Sequence, residues 1–223
     1  MSTPDNQHEA LDSFIAKWRD RWPEWSVAEV FLPASRRQTA YAWFTLLQEF
    51  TDAAWSGEDA TPGLAKLAWW GEELRGWAKG ARRHPLGATL QRQPVDWIAL
   101  SGSLRELQAA RGIVPPALSG LQAFAAAVAR IEAILFEGEN GQGGAVDRVL
   151  ADVLAEHALS HGATDQARTL VAARLRGREA TRPRRIQSAL LYERLSQLAA
   201  DQPLRAARPW RSVWLAWRAA RSE

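Results

Sequence analysis

The chain has 223 residues, 47% of them hydrophobic and 24% charged, with 12 Trp, 2 Tyr, no Cys, and 25 Arg against 3 Lys. That apolar share excludes a fully disordered chain, and the missing cysteine excludes disulfides, thiolate metal sites, iron–sulfur clusters and a cysteine nucleophile. Net charge is only +3 although the pI is about 9.8, because Arg keeps its proton where Lys would titrate; the basic pI is therefore no argument for nucleic acid, and no nucleic-acid partner is expected.

Apolar residues recur with helical spacing almost throughout, and no run alternates as a strand. A first helix is expected from about His8 to Trp22, ending at Pro23. A second begins near Ser35, where Ser35 and Gln38 fit a capping box, and runs to Trp55. Residues 56–61 read as a loop, with Thr61 as N-cap and Pro62 at the first position of a third helix. That helix reaches Lys79 and carries Leu67, Trp70, Leu74 and Trp77 on one face; His84-Pro85 then breaks the chain. Further helices are expected over 95–111, 116–137, 146–160, 164–177, 184–200 and 209–221. The fold class is all-α: a single bundle of about eight or nine helices over residues 1–223, with the glycine-rich loop 138–144 joining two helical halves.

Charge is unevenly spread. Residues 1–59 carry 10 acids and 5 bases, whereas residues 168–223 carry 13 Arg and 4 acids. The basic end suits an anionic lipid surface or an acidic partner as well as a solvated helix. The first 30 residues have no signal-like apolar core, and no stretch approaches the ~20 uninterrupted apolar residues of a membrane span. A cytoplasmic protein is expected, with peripheral membrane contact through its last helix as an option. There Trp210, Val213, Trp214 and Trp217 recur at i, i+3, i+4, i+7, with Arg211, Arg218 and Arg221 elsewhere on the wheel. Such a Trp/Arg helix serves a membrane interface, or docks its Trp face on the core, which is the expected arrangement here. Trp210, Trp214 and Trp217 are the candidate interface residues.

Three other features bear on chemistry. The Gly138–Gly144 stretch lacks both a preceding strand and a following Lys-Ser/Thr, so it reads as a connection, not a phosphate loop. His157 and His161 have ligand-capable i,i+4 spacing, but no third ligand is evident and a polar helix end is expected. Gln48, Glu49 and Asp52 share a face of the second helix near Tyr41, Phe44 and Trp55. Acids on an aromatic face are partnered or line a cavity. Carboxylates one turn apart also suit Mg²⁺ and a diphosphate.

Two stretches carry a family resemblance. The first is Phe31-Leu-Pro-Ala-Ser-Arg-Arg-Gln-Thr-Ala-Tyr-Ala-Trp-Phe44, leading into Gln48-Glu-Phe-Thr-Asp52. The second is Pro62-Gly-Leu-Ala-Lys-Leu-Ala-Trp-Trp-Gly-Glu-Glu-Leu74, followed by His84-Pro-Leu86. Together, over about residues 28–90, they resemble the squalene/phytoene synthase family of all-α isoprenoid synthases and its mitochondrial assembly-factor relatives. The resemblance implies the isoprenoid synthase fold and head-to-head joining of prenyl diphosphates by two aspartate-rich helices that hold Mg²⁺. It marks Arg36, Tyr41, Gln48, Glu49 and Asp52 as the remnant of a diphosphate site, with Asp52 and Glu49 as metal ligands only if the chain is active.

The departures from that pattern are large. Gln48 stands where the first aspartate of the first motif falls, and an apolar residue near Leu46 replaces an Arg. The stretch Leu170–Arg178, which would carry the second motif, contains no acid. The expectation is a degenerate, non-catalytic member that binds an isoprenoid or other lipid or acts in assembly, with no cofactor. The alternatives are an active Mg²⁺-dependent prenyltransferase using Glu49, Asp52 and acids such as Asp147, Asp152 or Glu156, and a basic helical protein-interaction module. Activity requires a second acidic helix facing Asp52 across a cavity. Lipid binding requires a deep apolar pocket. An interaction module requires a filled core and a contiguous Arg/Trp patch.

Overall fold

The computed structural model describes residues 4–138, 145–173 and 179–221, with side chains from Glu9 onward. Among them are eleven α-helices and no strand: α1 (Pro4–Arg21), α2 (Trp25–Ala28), α3 (Ala34–Trp55), α4 (Ala60–Ala78), α5 (Gly87–Leu90), α6 (Trp97–Ala109), α7 (Gln122–Glu137), α8 (Val146–Ser160), α9 (Thr164–Ala172), α10 (Arg182–Ala199) and α11 (Pro209–Ala220). All nine expected helices are present. The two extra ones, α2 and α5, are single turns, too short to show a hydrophobic period. Residues 139–144 of the glycine-rich loop and the arginines 174, 176 and 178, both singled out in the sequence, lie outside the described residues.

Local corrections follow from capping. Ser35 forms no capping box, because α3 starts one residue earlier, behind Pro33, and its N-cap makes no side-chain bond. Asp59, not Thr61, caps α4; its carboxylate accepts from the Thr61 amide at 2.8 Å. The expected helix over 116–137 opens as a 3₁₀ turn, Leu118–Leu121, before α7.

Helix α3 is the axis of the bundle. From Ala40 to Trp55 it is buried on nearly every side, against α1, α4, α6 and α8. A helix apolar around its whole circumference belongs inside, not at a surface. Gly63 allows α4 to close on it, since a Cβ there would stand 2.2 Å from the Ala53 carbonyl oxygen. Trp18, Trp25, Tyr41 and Phe44 form one aromatic cluster between α1, α2 and α3, with ring centroids 5.7–6.2 Å apart. Apolar side chains on both sides of residues 139–144 join a single continuous core. The segment Leu118–Glu137 is long and apolar enough to cross a membrane. Its Phe124, Val128, Ile131 and Leu135, however, are buried in this core.

The motif that carried the resemblance has a structural job. Buried Glu73 accepts from the Trp77 indole at 2.8 Å, from the amides of Arg83 and His84 at 2.7 and 2.8 Å, and from Arg83 Nε at 3.0 Å. It thereby holds the His84-Pro85 turn against the end of α4. His84 in turn packs on Phe14 and Trp70, both at 4.5 Å between centroids.

Candidate functional site

Three of the candidate residues diverge from one another. Arg36 reaches the carbonyl of Leu135 at 2.7 Å and closes the C-terminal end of α7. Tyr41 lies in the aromatic cluster and donates to Glu29; burial, then that carboxylate, hold its phenol far above the usual range. Glu49 turns towards α4, where Lys66 Nζ stands 2.6 Å from its Oε2.

Gln48 and Asp52 line a cleft of about 380 Å³ that Glu49 does not enter. Its walls are the end of α1 (Asp20, Arg21, Trp22), α3 (Gln48, Thr51, Asp52, Trp55), α8 (Glu156, Leu159, Ser160), α10 (Leu191, Arg194) and residues 204–206. Arg21 Nη1 is 3.0 and 3.1 Å from the two Asp52 oxygens. Gln48 bridges the wall, donating to Asp52 at 2.9 Å and accepting from the Trp22 indole at 3.3 Å. Glu156 is the one alternative acid that enters the cleft. Burial pushes its carboxyl up to about 7; Arg184 opposes this, Asp152 adds to it, and Arg21 and Asp52 act in opposite senses at smaller strength. Asp147 is exposed elsewhere.

Asp152 points away from the cleft into a buried ionic cluster that sequence reasoning missed. Arg184, at the start of α10, pairs with Glu132 of α7, with Nε 3.2 and 3.0 Å from its two oxygens, and with Asp152 of α8 at 3.2 Å. The Trp43 indole donates to Glu132 at 2.7 Å, and the Ser188 hydroxyl donates to Asp152. All three charged residues are essentially inaccessible to solvent. Burial raises the Asp152 carboxyl, against the pull of Arg184 and Ser188. Partners 32 and 52 residues apart leave no periodic trace in the sequence.

The fit to Mg²⁺ fails at the Glu49–Asp52 pair. Hard divalent cations need several free oxygen ligands on one centre. Here one carboxylate is bound to Lys66 of α4 and the other to Arg21 of α1. Among the described residues no group of three or more His, Asp or Glu is placed to hold a metal ion. His157 and His161 stack at 4.1 Å, but His157 is wholly buried, with Nε2 3.2 Å from the Ala110 carbonyl.

The last helix corrects another expectation. Helix α11 does not dock its Trp face. It seats Ser212, Leu215, Ala216 and Ala220 on the bundle, against α10 and α2. Trp210, Val213, Trp214 and Trp217 remain 65, 39, 43 and 41% exposed. The small side chains let the backbone approach α10 closely, which the bulky indoles would prevent. Arg218 lies 4.6 Å over the Trp214 ring and Arg221 4.8 Å over Trp217. The chain matches no protein-family model, no curated protein and no solved structure.

Proposed function

We propose that this chain is a non-catalytic, squalene/phytoene synthase-like helical protein that works by attachment, docking through the outward face of α11. The carrying observation is that face: three exposed indoles flanked by guanidinium groups on a helix firmly seated by its other side. Exposed apolar patches rimmed by polar groups are the usual mark of an interaction surface. The filled aromatic core supports the same reading. The cleft beside Asp52 opens to solvent and carries Arg21, Asp52, Glu156 and Arg194 on its walls, so it offers no deep apolar chamber for a prenyl chain. A lipid is then met at the protein's surface, not swallowed by it.

Loss of chemistry is supported by the capture of Glu49 and Asp52 by Lys66 and Arg21. The test is incubation with farnesyl or geranylgeranyl diphosphate and Mg²⁺, following pyrophosphate. Release at the no-protein background is expected. Release above background that disappears in Asp52→Ala would instead establish an active prenyltransferase, with Asp52 and Glu156 as the acids of one cleft.

A further inference from the structure

We infer that the cleft between α1, α3, α8 and α10 is a binding site for an organic ammonium ion with a small apolar body, its charge met by the Glu156 carboxylate. The inference goes beyond attachment through α11 and does not depend on it.

Most polar side chains on the cleft walls are already committed. Asp52 is held by Arg21 and Gln48. Gln48 spends its carbonyl on the Trp22 indole and its amide on Asp52 and Thr51. Arg194 pairs with Glu24, with Nη2 2.8 Å from Oε2, and lies 3.9 Å over the Trp22 ring. Trp55 donates to the Leu107 carbonyl, and Ser160 to that of His157. Asp20 and Arg205 are exposed and opposite in sign, so together they add no net charge.

Glu156 is different. It is half-buried, and among the described residues it has no hydrogen-bond or ion-pair partner. The strongest charge acting on it, Arg184, is already taken by Glu132 and Asp152. The cleft therefore carries one uncompensated carboxylate, and shielding such a group from water is costly until a partner supplies a hydrogen bond and a charge.

The other walls select the kind of cation. Trp55, Leu159, Leu191 and Leu204 give the cleft an apolar side, and its volume of about 380 Å³ is room for a small organic molecule. A bare divalent metal needs several free oxygens, whereas Asp52 is committed to Arg21 and leaves Glu156 alone. An ammonium group on an apolar body satisfies both, with its charge on Glu156 and its body against the indole and the leucines. An anion would meet Asp20, Asp52 and Glu156 on the same walls, with Arg205 the one uncommitted cation among the described wall residues.

The experiment titrates the full chain with 2-phenylethylamine, 2-phenylethanol and 3-phenylpropionate by ligand-detected NMR at about pH 8, above the value of about 7 to which burial raises the Glu156 carboxyl. The amine is expected to bind at least ~10-fold more tightly than the alcohol or the carboxylate, the worth of one charge-assisted hydrogen bond. Glu156→Gln should remove that preference and leave the affinity for the alcohol as it was. Ser160→Lys should abolish amine binding, because Ser160 lies one turn after Glu156 on α8 and a cation there takes the carboxylate itself. Neither variant should lower the melting temperature, since Gln keeps the shape of Glu and Ser160 is exposed. Equal affinity for amine and alcohol, tighter binding of the carboxylate, a preference that survives Glu156→Gln, or no amine binding up to about 10 mM each overturns the inference. None of these outcomes bears on α11 as the docking surface.

Discussion

Arg184 and Glu132 form a two-point ion pair inside the bundle, tying the first turn of α10 to α7, with Asp152 of α8 on the third guanidinium nitrogen. Three helices from the second half of the chain thus meet at one buried cation, and Trp43 brings in α3 through Glu132. Such a cluster resists loss of one member more than its own net contribution suggests, because the survivors stay buried and unpaired.

Arg184→Met is therefore expected to destabilise the fold by about 3–5 kcal/mol. Urea unfolding at pH 7 measures it. The triple variant with Glu132→Leu and Asp152→Leu should recover most of the loss, since no unpaired charge then remains. A triple variant as weak as the single one would show that packing against Phe44, 5.2 Å from the guanidinium, dominates instead.

Glu73→Ala should cost about 2–4 kcal/mol by stranding the Arg83 and His84 amides and the Trp77 indole. Burial raises this carboxyl, but the four hydrogen bonds outweigh burial and hold it below its ordinary 4.5. A depressed carboxyl contributes its full stability above the unfolded value and loses it as pH falls through the folded one. Thermal melts of wild type and Glu73→Ala should accordingly draw together as the solution is acidified below the ordinary carboxylate range, in line with that direction. A difference independent of pH would assign the effect to packing.

Glu156 behaves with the opposite sign. Its carboxyl is raised from 4.5 to about 7 by burial, so between those values the folded state holds a proton that the unfolded chain releases. Stability then falls as pH rises through that window, by up to about 1.4 kcal/mol per pH unit. The half-buried His84 and the buried His157, each lowered to about 4 chiefly by burial, act the other way, with stability rising from about pH 4 to 6.5. The clean measurement is thus the difference between wild type and Glu156→Gln. The variant should gain on wild type from pH 5 to 7 and hold a constant advantage above. A flat difference would show that the carboxyl is already ionised at pH 5.

The division between what was legible and what was not follows the range of the forces. Helical periodicity, Pro23 and the Pro209 start are local, so the sequence by itself determined the all-α class and the approximate place of each long helix, although α4 begins at Ala60, ahead of Pro62, and α7 only at Gln122 behind a 3₁₀ turn. It also marked Asp52 and Gln48 as neighbours, because i,i+4 spacing on a helix is local too. Which partner each charge takes is not local. Glu49 and Asp52 are three residues apart on α3, yet Glu49 pairs with Lys66 of α4 and Asp52 with Arg21 of α1. The same holds for the tryptophans. Their spacing in α11 is that of a buried stripe, and only the tertiary structure decided that small residues on the other face take the seat and leave the indoles outside. A hydrophobic wheel shows that a helix has two faces; close packing, which favours Ser212 and Ala216 against α10, selects the face that goes in.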